Sequence, residues 1–123
     1  MLGNQAQACN AVTLLPPASL SAGANHGAYL DLSKYTGHAA IIVDVGAVTG
    51  SVIVKVEDAT AEAGTNLADV TGAVTASLTT ADTAVKLVVP IDKLRQWVRV
   101  TATVTTGPIV MGVVALMNPQ LSP

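Results

Sequence analysis

Apolar and polar residues alternate with a period of two along residues 95–105, which read RQWVRVTATVT. This period is typical of a β-strand with one buried face, because successive side chains of a strand point to opposite sides of the sheet. Trp97 and Arg99 fall in the polar set, so both are predicted to point away from the core. The apolar positions are Val98, Val100, Ala102 and Val104.

Further stretches of the chain have strand-like patterns, and turn residues separate them. They are residues 28–32, 38–45, 51–57, 66–72, 74–78, 85–91 and 109–117. Gly46 and Gly50 bracket the turn between the second and third of these stretches, which predicts a hairpin. Residues 85–91, 97–105 and 109–117 follow one another with short connections, which predicts a β-meander. The final one, IVMGVVALM, is apolar on both faces, as is typical of a strand that is covered on both sides.

These strands define the fold class. They follow one another at spacings of about ten residues, and no stretch of useful length has the helical period. The sequence therefore predicts an all-β protein, a single antiparallel β-sandwich of about seven or eight strands and of the jelly-roll or immunoglobulin-like type. A chain of 123 residues has room for one such domain. We expect the sandwich over residues 28–118 and a short C-terminal tail at 119–123.

Residues 1–27 have neither period and are predicted to form an extended N-terminal arm. Pro16 and Pro17 favour an extended backbone there. We expect the arm to cross to a neighbouring subunit, on which Val12, Leu14 and Leu15 would pack; the alternative is a frayed terminus. The first fifteen residues lack the basic start and long apolar stretch of a signal peptide, so none is expected.

Composition narrows the possible partners. Half of the residues are apolar and only 11% are charged, which favours a subunit that packs against neighbours and associates with itself. A net charge of −2 does nothing to attract nucleic acid, and no apolar run approaches the roughly 18 residues of a membrane helix. Cys9 is the only cysteine, which excludes a disulfide within the chain.

Residues that could carry chemistry are few: His26, His38, Cys9 and the acidic Glu57, Asp58 and Glu62. The two histidines have no cysteine or carboxylate at ligand spacing, and the acidic residues lack the alternation of a calcium loop. We expect the acidic residues to form a solvated turn. The cysteine has no adjacent base to activate it. The sequence predicts a protein without catalytic residues, metal or cofactor.

The sequence contains more residues suited to protein contacts than residues suited to catalysis. Outward-facing apolar residues of strands mark interfaces where they cluster. The predicted interface residues are Val12, Leu14, Leu15, Ile42, Ile53, Val88, Trp97 and Arg99. Carbohydrate recognition depends on aromatic platforms, for which the chain offers only Tyr29, Tyr35 and Trp97.

Two long segments carry a family resemblance. GAYLDLSKYTGHAAIIVDVGAVTGSVIVKVEDA and VPIDKLRQWVRVTATVTTGPIVMGVVAL resemble small β-rich structural proteins of tailed bacteriophages, of the head decoration or cement type. The resemblance covers most of the chain from about residue 27. It lies in the spacing of the strands and turns. It implies a virion subunit that is assembled in the host cytoplasm and docks on the major capsid protein at the capsid surface. It brings no catalytic residues with it.

Two other functions are compatible with the same sequence. One is a tail or head-fibre component of the phage particle. The other is a bacterial β-sandwich module for adhesion or carbohydrate binding, in which Trp97 would contact the sugar.

Overall fold

Nine β-strands make up most of the computed structural model, which describes residues 9–119. A single 3-10 turn, Ile91–Lys93, lies between the seventh and eighth strands, and the described residues contain no α-helix. The strands are β1 (Asn10–Leu20), β2 (Gly23–His26), β3 (Leu30–Asp31), β4 (Tyr35–Val48), β5 (Val52–Ala59), β6 (Ala68–Val74), β7 (Thr83–Pro90), β8 (Trp97–Val104) and β9 (Ile109–Pro119).

The strands form two antiparallel sheets. Sheet A has the order β1-β9-β4-β7, and sheet B has the order β2-β8-β5-β6, with β3 also pairing with β8. The short strands β2 and β3 both pair with β8 and together occupy one strand position, so each sheet has four positions. Eight positions in this order form a jelly roll. The predicted all-β sandwich is confirmed.

The predicted hairpin and meander are both wrong. Strands β4 and β5 belong to different sheets, so the turn after β4 carries the chain across the sandwich. Strands β7, β8 and β9 likewise lie in sheets A, B and A. Among the described strands, β5 and β6 are the only consecutive pair that share hydrogen bonds. A short turn joins neighbours within a sheet or facing strands of two sheets equally well, and only packing selects between them.

The inward faces of the two sheets form one core. The alternation predicted for β4, β5 and β8 is confirmed, because the residues of the apolar set in each strand are buried there. The central core residues are Ile41, Val43, Val45, Val52, Val54, Val56, Val98, Val100, Ala102, Val104, Met111, Val113 and Ala115.

The N-terminal segment is part of this core, and the prediction of an arm over residues 1–27 is wrong for its described part. Strand β1 pairs with β9, and Leu14 and Leu15 are 3% and 6% exposed. A Cβ atom on Gly27 would overlap the carbonyl of Leu14, so β1 passes directly over the end of β2. Two irregularities in the β1 register mask the period of two that would have revealed the strand.

The predicted tail also needs revision, because β9 continues through Pro119. Residues 1–8 of the predicted arm and residues 120–123 of the predicted tail lie outside the described residues.

Candidate functional site

The predicted interface residues occupy three different places. Leu14 and Leu15 are buried in the core, so they are not available to a partner and the prediction is wrong for them. Val12 is half-buried and packs against the same core. Two others, Ile42 and Val88, lie on the outer face of sheet A. The remaining three, Ile53, Trp97 and Arg99, lie on the outer face of sheet B.

The outer face of sheet A carries a group of apolar side chains, which we call the apolar face, and Lys86 and Asp44 lie beside them on the same face. The apolar face consists of Ala40, Ile42, Val88, Val110, Val114 and Leu116. Cross-strand pairing brings these side chains together: Ala40 is opposite Val88 on β7 and opposite Leu116 on β9. In the next row of the sheet, Ile42 is opposite Val114.

Several side chains of the apolar face are well exposed. Val88 is 55% exposed, Val110 43% and Leu116 39%. Antiparallel sheets usually place polar residues on the face that meets water. The sequence predicted that the last strand is covered on both sides. The core covers its inner side, but Val110 and Leu116 on its outer side are exposed, so the prediction is wrong at these positions. This leaves an apolar surface of the kind that marks protein contacts.

A depression of 510 Å³ opens in the apolar face, because two glycines leave its floor without side chains. Gly112 lies opposite Asp44 in the sheet, and Gly46 lies beside Val110. Pro17 packs over one edge: a Cβ atom on Gly112 would lie 3.1 Å from the Pro17 Cα atom. The lining residues include Pro17, Ile42, Asp44, Gly46, Asp82, Val110, Gly112 and Val114.

The outer face of sheet B is different, because it holds a buried carboxylate. Glu57 is 6% exposed, and its Oε1 accepts hydrogen bonds from Arg99 Nε at 3.2 Å and from the hydroxyl of Thr101. Since the Thr101 proton is used in this way, His26 Nδ1, 2.8 Å from Thr101 Oγ1, acts as the donor to that oxygen. The Lys55 ammonium lies 4.0 Å from Glu57 Oε2.

Two further contacts complete this Glu57 cluster, which we define as Glu57, Arg99, Thr101, His26 and Lys55. The Arg99 guanidinium lies 5.1 Å from the centre of the Tyr29 ring, in cation–π geometry. The Lys55 ammonium also pairs with the exposed Asp69 carboxylate at 3.0 Å. Within residues 9–119, no buried side-chain nitrogen or oxygen lacks a partner. The cluster therefore ties β2, β5 and β8 together.

Asp58, next in the chain, is also buried and paired. Its carboxylate accepts hydrogen bonds from the backbone amide, Nε and Nη2 of Arg95, at 2.8 to 3.1 Å. The prediction of a solvated acidic turn is therefore wrong for Glu57 and Asp58, which lie in β5, and fits only the exposed Glu62. The alternating pattern placed Glu57 on the outside correctly. It could not reveal the two arginines that β8 and the segment before it bring to these carboxylates.

Trp97 lies on the outer face, as predicted, at the end of sheet B beside Asp31 and Ala59. Hydrogen bonds hold the Asp31 carboxylate: the Ser33 backbone amide donates to Oδ1 at 2.9 Å and Gln96 Nε2 donates at 3.2 Å. The bond from the Ser33 backbone is the main cause that lowers the pKa of Asp31 below its usual range, and bonds from the Ser33 side chain and Gln96 add to it.

This lowered pKa predicts a pH dependence of stability. A carboxyl whose pKa is lower in the folded state stabilises the fold above its unfolded pKa of about 4, and the contribution is lost as the pH falls through the folded value. Asp31→Asn, which cannot ionise, is therefore expected to be less stable than the wild type at neutral pH and to approach it in acid. Thermal unfolding of both proteins across the acid range measures this. A difference that stays constant with pH would contradict it.

The candidates for metal or redox chemistry lie apart. His26 is in sheet B and His38 is in sheet A, and the Cys9 thiol donates to Asn118 Oδ1 at 3.2 Å. In the described part of the chain, no three histidine, cysteine or acidic side chains are placed to hold a metal ion together. No helix among residues 9–119 is long and apolar enough to cross a membrane.

Comparison with known proteins identifies the fold. No protein-family model matches the chain, and no curated protein matches it in sequence. The solved structures with a similar fold include the SPBc2 prophage-derived protein YomS, with a TM-score of 0.52 and 12% identity over 88% of this chain and 92% of that one. PirA has a TM-score of 0.44 and 10% identity over 90% and 93% of the two chains. This chain therefore shares its all-β fold with a prophage-derived protein.

Proposed function

We propose that this chain is a non-enzymatic structural protein of a bacteriophage virion, a decoration or cement subunit that docks on the major capsid protein and stabilises the head. The observation that carries the proposal is the apolar face of sheet A. Burial of apolar surface stabilises an interface by about 25 cal/mol for each Å² removed from water, and this face presents the exposed Val88, Val110 and Leu116 on three strands of one sheet.

The low charge of the chain supports the same role. With 11% charged residues, little of the surface opposes contact with neighbouring subunits, so we infer that copies of the chain also associate with one another on the capsid surface. A net charge of −2 favours a protein partner over nucleic acid. Assembly in the host cytoplasm follows from this role.

The fold and the sequence resemblance point in the same direction. A jelly roll occurs in many unrelated proteins, so the fold shared with a prophage-derived protein is compatible with a virion subunit and does not by itself select one. Further support for a virion subunit comes from the spacing of strands and turns in the sequence, which resembles that of phage decoration proteins. A cement protein needs a stable domain and a docking surface, and neither requires catalytic residues.

Placing a charge on the apolar face is the direct test of docking. Val88→Asp combined with Leu116→Asp is expected to weaken binding to capsids at least about 100-fold, because two carboxylates would have to be buried in the interface. The measurement is co-sedimentation with particles assembled from the major capsid protein encoded in the same genome. The matched control is Ile53→Asp on the outer face of sheet B, which has a similar exposure of 41% and should leave binding unchanged.

Two outcomes would contradict the proposal. One is that the wild-type protein does not bind these particles; the other is that Ile53→Asp weakens binding as much as the double variant. Specific binding to a glycan that is lost in Trp97→Ala would instead favour the carbohydrate-binding module.

A further inference from the structure

We propose that the depression in the apolar face receives a lysine or arginine side chain of the protein on which the chain docks. The inference rests on the proposed docking function and names the chemistry of the partner. The aliphatic part of the side chain would lie against the apolar walls, and its charged end would meet the carboxylates of Asp44 and Asp82.

The walls of the depression suit an aliphatic stem. Pro17, Val110 and Val114 provide apolar surface, and Gly46 and Gly112 leave the floor open to it. Long basic side chains commonly bury their methylene groups along such surfaces while the charged end keeps polar partners. The volume of 510 Å³ leaves room for a whole side chain.

The carboxylates supply the charge that a basic side chain needs. Asp44 projects from the outer face of β4, and Asp82 is held at the same depression by a hydrogen bond from its backbone amide to the Gly46 carbonyl at 3.0 Å. The ion pairs found within residues 9–119 use Glu57, Asp58 and Asp69, and neither of these two aspartates takes part in one.

The basic residue of the chain nearest to them in the sheet is Lys86, which lies opposite Ile42 on β7. It lies one row of the sheet from Asp44, and no ion pair found within residues 9–119 includes it. A cation from outside the chain is therefore the complement of this site. Guanidinium fits best, because its flat fork of donors matches the geometry of a carboxylate.

The first experiment uses the isolated protein, so its outcome does not depend on the docking function. Nα-acetyl-arginine amide is titrated into ¹⁵N-labelled protein, and the backbone amide signals of Gly46, Gly112 and Asp82 are followed by NMR. We expect saturable shifts that are confined to the depression below about 50 mM. Nα-acetyl-citrulline amide has nearly the same shape without the charge, and its half-saturating concentration should be at least about tenfold higher.

Two variants test the two halves of the site. Asp44→Asn combined with Asp82→Asn removes the charge from exposed positions and should raise the half-saturating concentration at least about tenfold. Gly46→Leu should block the depression; a Cβ atom there makes contacts no closer than 3.4 Å, and thermal unfolding of the variant checks that it folds. Equal shifts with the arginine and citrulline compounds, or no shift by the highest concentration, would overturn the inference.

Capsid binding separates this inference from the proposed function. If both hold, the double asparagine variant binds capsids at least about tenfold more weakly than the wild type. If the variant binds as tightly as the wild type while Val88→Asp with Leu116→Asp does not bind, the docking function stands and the cation site is wrong. If the wild type binds arginine but no capsid, the site stands and its partner is a different protein.

Discussion

Deletion of residues 1–20 is expected to abolish folding of the domain. The deletion removes β1, which forms eight register pairs with β9, and leaves β9 as a new edge of sheet A. It also removes Leu14, Leu15 and Leu20 from the core. Full burial of a leucine stabilises by roughly 1.5–3 kcal/mol, so three of them amount to about 5–9 kcal/mol, comparable with the whole stability of a typical domain.

Circular dichroism and the dispersion of the amide NMR signals measure this outcome. Deletion of residues 1–8 is the control, because it keeps all of β1 and should leave a folded protein. A truncated chain that starts at Ser21 and still unfolds cooperatively would show that β1 is dispensable, as the prediction of an arm required.

Point variants in β1 separate the contribution of its buried side chains from the effect of removing the whole strand. Leu15→Ala should lower the free energy of unfolding by about 2–5 kcal/mol, because it leaves a cavity in the core. Thr13→Ala, two positions away on the outer side of the same strand, should change it by less than about 0.5 kcal/mol. If Leu15→Ala lowers the free energy of unfolding as little as Thr13→Ala does, the Leu15 side chain does not contribute and β1 acts only through its backbone.

Glu57→Ala is expected to be the most destabilising change on the outer face of sheet B. It leaves Arg99 and the buried hydroxyl of Thr101 without their acceptor, and Thr101 is 2% exposed. Breaking a buried ion pair by removing one partner costs about 3–5 kcal/mol, and the partial exposure of the Arg99 side chain reduces this to about 2–4 kcal/mol.

Denaturant unfolding of three variants tests the explanation. Asp69→Ala removes the exposed partner of the same lysine, Lys55, and should change the free energy of unfolding by less than about 0.5 kcal/mol. Glu57→Gln keeps a hydrogen-bond acceptor and should fall between the other two. If Glu57→Ala is as stable as the wild type, the cluster does not hold the strands of sheet B together.

The sequence could place Glu57 on the outside of its strand but could not predict its burial. Alternation fixes only which side of a strand a residue occupies. The environment on that side depends on the neighbouring strands, and β8 brings Arg99 and Thr101 to this one. The same limit applies to the depression, since Asp44 and Asp82 are 38 positions apart and line it together only because the chain returns to sheet A.

The period of two determined the inward and outward faces of β4, β5 and β8 and the all-β class, because side-chain direction in a strand is a local property. The apolar character of both faces of β9 predicted cover on both sides, and the structure leaves Val110 and Leu116 exposed instead. Only the tertiary structure decided which sheet each strand joins and that β1 belongs to the core. Those choices depend on contacts between distant parts of the chain, such as Leu15 with Val113, and a local pattern reads the same whichever sheet its strand enters.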